Sequence, residues 1–257
     1  MFWDATLSSD GGYNRAGAGT LPGWKRMPQL YQGWMGWRGT MTKRPSDARI
    51  MQELNKIPTG GPLMVDVESV PVIVGDDKRW LKATLANVIS GRESLRSLAE
   101  FIAGERADLQ RGWYGNQIAP IVPWWSNPKN ERQRRKNDEL KRSGLFDVWP
   151  GSHDGFYWGK TSDEAPMHSE DFEELVMAAK DEYSRLEYTG KIYPYIWHRY
   201  NPPHTPHKVN LELGERAFRS AIQFLHDTFG EVVVWGTRQD DPDDEDAWWR
   251  KVCKEFV

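Results

Sequence analysis

Twice in succession the carboxyl-terminal part of the chain runs an amphipathic helix into a glycine and then into an apolar strand. The first copy has Ser169 before an acidic first turn, a helix to about Leu186, Gly190 as its stop and the strand KIYPYIWHRY. The second has Leu213 to Phe229, with Phe218, Ile222 and Leu225 on one face, then Gly230 and the strand EVVVWG. Glycine just past a helix accepts the left-handed conformation other residues resist, so each glycine divides helix from strand. A helix placed between two strands carries the chain back to the starting edge, which makes those strands parallel. The 257 residues match the roughly 250 of a (β/α)₈ barrel. The expected fold is therefore α/β, a TIM-type (β/α) barrel of parallel strands with irregular or missing elements, as one domain over residues 1–257.

The upstream half gives the same alternation less regularly. A short first strand at Phe2 to Asp4 leads into a loop rich in glycine, Gly11, Gly12, Gly17, Gly19 and Gly23. A second strand is expected near Leu30 to Trp34, then a helix capped by Ser46 through about Lys56. Leu95, Leu98, Phe101 and Ile102 recur at helical spacing, and RGWYGNQIAPIVPWW reads as a strand entering an aromatic loop. Glu131 to Arg142 reads as a polar helix whose RQRRK run is a solvated face, and Phe146 to Trp149 as the next strand.

The strand Leu63 to Val67, in the segment LMVDVESV, is apolar and β-branched except for its acids. Strand side chains alternate, so Asp66 and Glu68 share one face while Val65 and Val67 take the other. Sites on parallel barrels collect at the carboxyl ends of strands, which places Glu68 at the rim and Asp66 one layer deeper. Two like charges that close cannot both ionise cheaply, so one carboxyl should keep its proton and be able to protonate a leaving group near neutral pH. The same two acids could instead pair with Arg or Lys or hold a cation.

The 14 Trp, 9 Tyr and 9 Phe supply flat apolar faces with polar edges, suited to stacking on sugar rings or to interfaces. Trp124 and Trp125, just past a strand end, and Trp197, within KIYPYIWHRY, are candidates for sugar subsites. Trp34, Trp37, Trp158, Trp248 and Trp249 are expected mostly in packing. A net charge of -3 gives no general reason to bind nucleic acid or an anionic membrane. Cys253 is the sole cysteine, which excludes an intrachain disulfide and a cysteine zinc cage and leaves packing as its role. The opening MFWDATLSSD lacks the basic and apolar regions of a signal peptide, and no segment approaches ~20 apolar residues, so a soluble chain is expected. His204 and His207, in a stiff loop after Pro203, have no third ligand and no helix to set their spacing, so no metal is expected. His198 could reach a cleft or serve as an ordinary hydrogen-bonded histidine. No Gly-x-Ser-x-Gly, phosphate loop or Gly-x-Gly-x-x-Gly occurs in a strand-to-helix setting, and no cofactor is expected.

The acid strand, RGWYGN, KIYPYIWHRY and the ending VVVWGTRQD follow an order that resembles the hyaluronidase-like glycoside hydrolases, over roughly residues 62 to 240. That resemblance implies retaining, substrate-assisted hydrolysis of a polysaccharide containing N-acetylhexosamine. Glu68 would then be the general acid/base and Asp66 would hold the acetamido N–H. Tyr114 would support the acetamido group and Trp235 would floor the sugar subsite. A further family tyrosine falls in WPGSHDGFYW, on either His153 or Tyr157. The sequence departs from the family at Ser69 and Val70, where an aromatic is common, and in its single cysteine, since the family's eukaryotic members are disulfide-bonded. A muramidase or chitinase-like barrel, a carbohydrate-binding barrel without turnover and a structural assembly protein remain open alternatives.

Overall fold

The computed structural model describes residues 1–6, 21, 23–37, 43–68, 70–72, 84–114, 121–156, 168–199, 213–236 and 246–257. Its strands are β1 (Phe2–Thr6), β2 (Lys25–Arg26), β3 (Gln29–Tyr31), β4 (Gly61–Asp66), β5 (Leu109–Tyr114), β6 (Gly151–Gly155), β7 (Lys191–Trp197) and β8 (Val232–Gly236). Between and after them run α1 (Asp47–Leu54), α2 (Leu85–Glu105), α3 (Asn127–Arg142), α4 (Leu145–Val148), α5 (Ser169–Arg185), α6 (Glu215–Phe229) and α7 (Trp248–Lys254).

All strand pairs are parallel, and the single curled sheet has the order β2-β1-β8-β7-β6-β5-β4-β3. Its two edge strands are separated in the chain by Met27 and Pro28 alone. Met27 N–H donates to the Asp4 carbonyl at 2.9 Å on one side, and Met64 N–H donates to the Pro28 carbonyl at 3.0 Å on the other. Residues 25–31 thus act as one stave that pairs with β1 through its first half and with β4 through its second. Pro28 has no N–H to offer, which suits the point where pairing changes sides. This closure is the irregular element of the barrel.

Alternation along the strands sorts the core into an inner and an outer layer. Trp3, Ala5, Met27, Met64, Tyr193, Tyr195 and Val233 form the inner cluster, with Tyr114 and Trp235 packed on it. Leu63, Val65 and Val67 turn outward to meet Leu95, Leu98 and Ile102 of α2. Val232 and Val234 turn outward to meet Phe218, Ile222 and Leu225 of α6, which are fully buried. Each such side chain contributes about 1.5–3 kcal/mol of transfer free energy. Gly230, at φ 74°, ends α6 in the left-handed conformation its position in the sequence implied. Cys253 is buried in the same outer layer, where burial pushes its thiol up. The exposed Arg132, Arg134 and Arg135 of α3 confirm the run RQRRK as a solvated face.

Two expectations are corrected. The strand near Leu30 to Trp34 ends at Tyr31, because residues 32–36 close a turn with Trp34 N–H and Met35 N–H on the Tyr31 carbonyl and Gly36 at φ 77°. Phe146 to Trp149 is not a strand: Gly144 at φ 70° opens the single-turn α4, and β6 begins later, at Gly151. Three apolar residues among four do not tell helix from strand, and Leu145 buries equally well from a helical turn. The helix α7 carries no strong start signal; Trp249, Val252 and Cys253 hold it to the outer layer. Among the described residues no helix is long and apolar enough to cross a membrane.

Candidate active site

The carboxyl ends of the strands gather the polar and aromatic side chains that the hydrophobic layers leave over. Asp66 is the last residue of β4, opposite Tyr114 at the end of β5 and Tyr31 at the end of β3. Met64 is in the inner cluster, and Asp66 shares its strand parity; Asp66 and Glu68, two residues past it, are each half-buried. Across the barrel, Trp197 at the end of β7 is in register with Trp235 of β8. Their rings meet edge to face with centroids 5.2 Å apart. Tyr114 in turn lies 5.5 Å from Tyr195. The carboxyl ends of the parallel strands thereby bring Asp66, Tyr114, Trp197 and Trp235 to the same end of the barrel, its mouth, with Glu68 two residues past β4.

His153 takes a deeper position than a mouth residue. It is 1% exposed, stacks on Tyr193 with centroids 4.7 Å apart, and lies with Nδ1 3.2 Å from the Tyr195 hydroxyl. Its ring occupies the space over Gly112, where a Cβ would fall 2.4 Å from Cδ2 and Nε2. Burial pushes the imidazole down to about 3, so it is neutral across the ordinary pH range. His153 therefore supports the floor of the mouth through Tyr195. Tyr157, the other residue considered for this place, lies outside the described residues, as do Trp158, His204 and His207.

The remaining candidates are dispersed. Trp124 packs on the helix side of the sheet with the outer cluster of α5 and α6. Trp125 carries the Lys129 ammonium 3.1 Å above its ring, so one face is occupied by a cation. His198 is fully buried on the helix side, stacked on Trp249 at 4.9 Å and accepting from Arg199 Nε at 3.3 Å. Trp37 is core, whereas Trp34 stands beside Tyr31 at the rim, their rings 5.7 Å apart. Tyr31 at the rim and Tyr195, fully buried beneath Tyr114, are further aromatic residues here that the sequence did not single out. Tyr195 shares its strand parity with Tyr193 and Trp197, which was the available signal.

Behind β6, facing α5, Tyr183 donates its hydroxyl to Asp154, and its oxygen also lies against the Ser152 hydroxyl. Desolvation pushes the Asp154 carboxyl up to about 6 despite these hydrogen bonds. A folded-state value above the unfolded one means that stability is fully present below about pH 4 and is lost as pH rises through 6. Asp154→Asn keeps an oxygen for Tyr183 and removes the charge. It should gain roughly 1–3 kcal/mol over the parent at pH 8 and nothing at pH 4 in urea unfolding. An equal difference at both pH values would contradict a buried titrating carboxyl.

No protein-family model and no curated protein sequence matches the chain. Among solved structures, bee venom hyaluronidase in complex with a hyaluronic acid tetramer superposes with a TM-score of 0.61 at 15% identity, covering 90% of this chain and 82% of that one. A monoclinic crystal form of bee venom hyaluronidase gives 0.63 at 14% identity, covering 99% of this chain and 95% of that one. At this identity the likeness establishes the barrel fold.

Proposed function

We propose that the chain is a glycoside hydrolase, one (β/α)-barrel catalytic domain over residues 1–257. It would cleave an N-acetylhexosamine-containing polysaccharide with retention, by a substrate-assisted mechanism. The observation that carries this reading is Asp66 at the end of β4 in register with Tyr114, with Glu68 two residues on and the Trp197–Trp235 pair near the ends of β7 and β8 of the same parallel sheet. Two carboxylates on one stave cannot flank a glycosidic bond from opposite faces, as an acid and a protein nucleophile must. Their geometry instead suits one acid that meets the leaving oxygen and a second that orients a group of the substrate.

Glu68, protonated, gives its proton to the glycosidic oxygen as the C1–O bond breaks. The acetamido carbonyl oxygen attacks C1 and forms a cyclic oxazolinium, while the Asp66 carboxylate accepts the acetamido N–H and stabilises the positive charge that develops there. The Glu68 carboxylate then takes a proton from water, which opens the ring at C1 on the face the leaving group vacated. Tyr114 supports the acetamido group and Trp235, braced by Trp197, floors the sugar. The fold shared with a hyaluronidase crystallised with a hyaluronic acid tetramer supports a glycan of this class.

Chromatography of products from hyaluronan, chitin oligosaccharides, bacterial glycan strands and a mannan tests the reading. New reducing ends are expected only from N-acetylhexosaminide linkages. Comparable cleavage of the mannan, or glycan binding with no cleavage, counts against it. Trp235→Ala should lower kcat/KM by roughly 10- to 100-fold in the same assay, the equivalent of one large buried apolar contact.

A further inference from the structure

The pairing of β4 stops at Asp66, so Glu68 stands two residues beyond the ladder that fixes its neighbours. One residue just past the adjoining stave bridges that gap. Gln32 donates its backbone N–H to the Asp66 carbonyl at 2.9 Å, and its side-chain Oε1 accepts the Glu68 backbone N–H at 3.1 Å. The two bonds bracket Asp66–Val67–Glu68, and Trp113 Nε1–H donates to the Val67 carbonyl between them at 3.0 Å. Gln32 can reach both ends because it opens the turn after β3, directly past Tyr31, which is in register with Asp66.

We propose that Gln32 is a positioning residue that fixes the Glu68 backbone, and with it the reach of the Glu68 carboxyl, for proton transfer. This rests on the role of Glu68 given above. A strand extension would need a partner strand's carbonyl for the Glu68 N–H; the Gln32 amide oxygen takes that place. Proton transfer tolerates little displacement, and a misplacement of about 1 Å costs up to 10²-fold.

The test compares wild type, Glu68→Gln, Gln32→Ala and Gln32→Glu on a defined N-acetylhexosamine oligosaccharide, with amide hydrogen exchange read at Glu68 in each. Gln32→Ala is expected to lower kcat by roughly 10- to 100-fold with KM within about threefold. Exchange at the Glu68 amide should accelerate by roughly tenfold or more. Gln32→Glu keeps an acceptor oxygen, so it should restore slow exchange and part of kcat, with its rate optimum displaced to higher pH by the added charge. Wild-type kcat in Gln32→Ala, or lost kcat with unchanged exchange at Glu68, overturns the proposal. If wild type itself fails to cleave, the hydrolase reading falls. The hold on the segment is then judged by exchange alone: acceleration in Gln32→Ala supports it, and no change overturns it.

Discussion

Glu68→Gln is expected to reduce glycan cleavage by roughly 10²- to 10⁴-fold, the range that a positioned general acid/base contributes, while glycan binding persists. Glutamine preserves the shape of the side chain and the backbone hydrogen bond to Gln32 but has no proton of suitable acidity to deliver. The leaving alkoxide must then depart unprotonated, and the second step loses the base that activates water. In the proposed mechanism binding rests on groups the change leaves alone, Trp235 braced against Trp197 and Tyr114 beside Tyr195. Steady-state rates and calorimetric titration on the same oligosaccharide separate the two effects. Equal loss of binding and turnover would point to a collapsed mouth, and undiminished turnover would remove Glu68 from the chemistry.

Acid should weaken the fold chiefly through His153. Burial against Tyr193 and Gly112 holds the folded imidazole at about 3, against the ordinary 6.5. The sign follows from which state takes the proton. Above pH 6.5 neither does, and the stability is fully present. As pH falls from 6.5 towards 3, the unfolded chain binds a proton that the folded one refuses, so stability is lost, by roughly 4–5 kcal/mol at the limit. Asp154 works in the opposite direction between about pH 4 and pH 6, with a shift from 3.8 to about 6, and the larger His153 shift dominates. His153→Gln keeps a hydrogen-bonding partner for Tyr195 and has no titration. Its urea-unfolding free energy should therefore lack most of the acid limb seen in the parent. An NMR titration of the parent gives a second reading, with the His153 ring still neutral at pH 5. Parallel acid limbs in the two proteins, or a ring protonated near pH 6, contradict the buried neutral histidine.

How much of this was legible before the structure depended on how local each signal was. The unit marked by Gly230 was plain because a helix period, a glycine and an apolar run each act over a few residues, whereas α5 ends at Arg185, Glu187 takes the left-handed conformation at φ 53°, and Gly190 comes only directly before β7. The shared face of Asp66 and Glu68 was expected from alternation alone, and Leu63, Val65 and Val67 stand together in the outer layer. The split stave at residues 25–31 was not legible, because its strand character comes from two different partners and neither half is long enough to show a pattern. His153 was singled out without its depth, which depends on the absence of a Cβ at Gly112, 41 positions away in the chain. Gln32 gave no signal at all, since its bonds reach 34 and 36 residues along the sequence. Lys129, one helical turn past Trp125, sets its ammonium over one face of that ring, which the aromatic pattern alone did not reveal.

The mechanism turns on where the second group that attacks C1 comes from, and the anomeric form of the first product reports that directly. Proton NMR of the reducing end, recorded on a β-linked N-acetylhexosamine oligosaccharide before mutarotation, should show the β anomer first. Appearance of the α anomer first would mean direct attack by water from the opposite face. It would contradict an apparatus in which Glu68 is the only protein group exchanging a proton at the bond and the substrate supplies its own nucleophile.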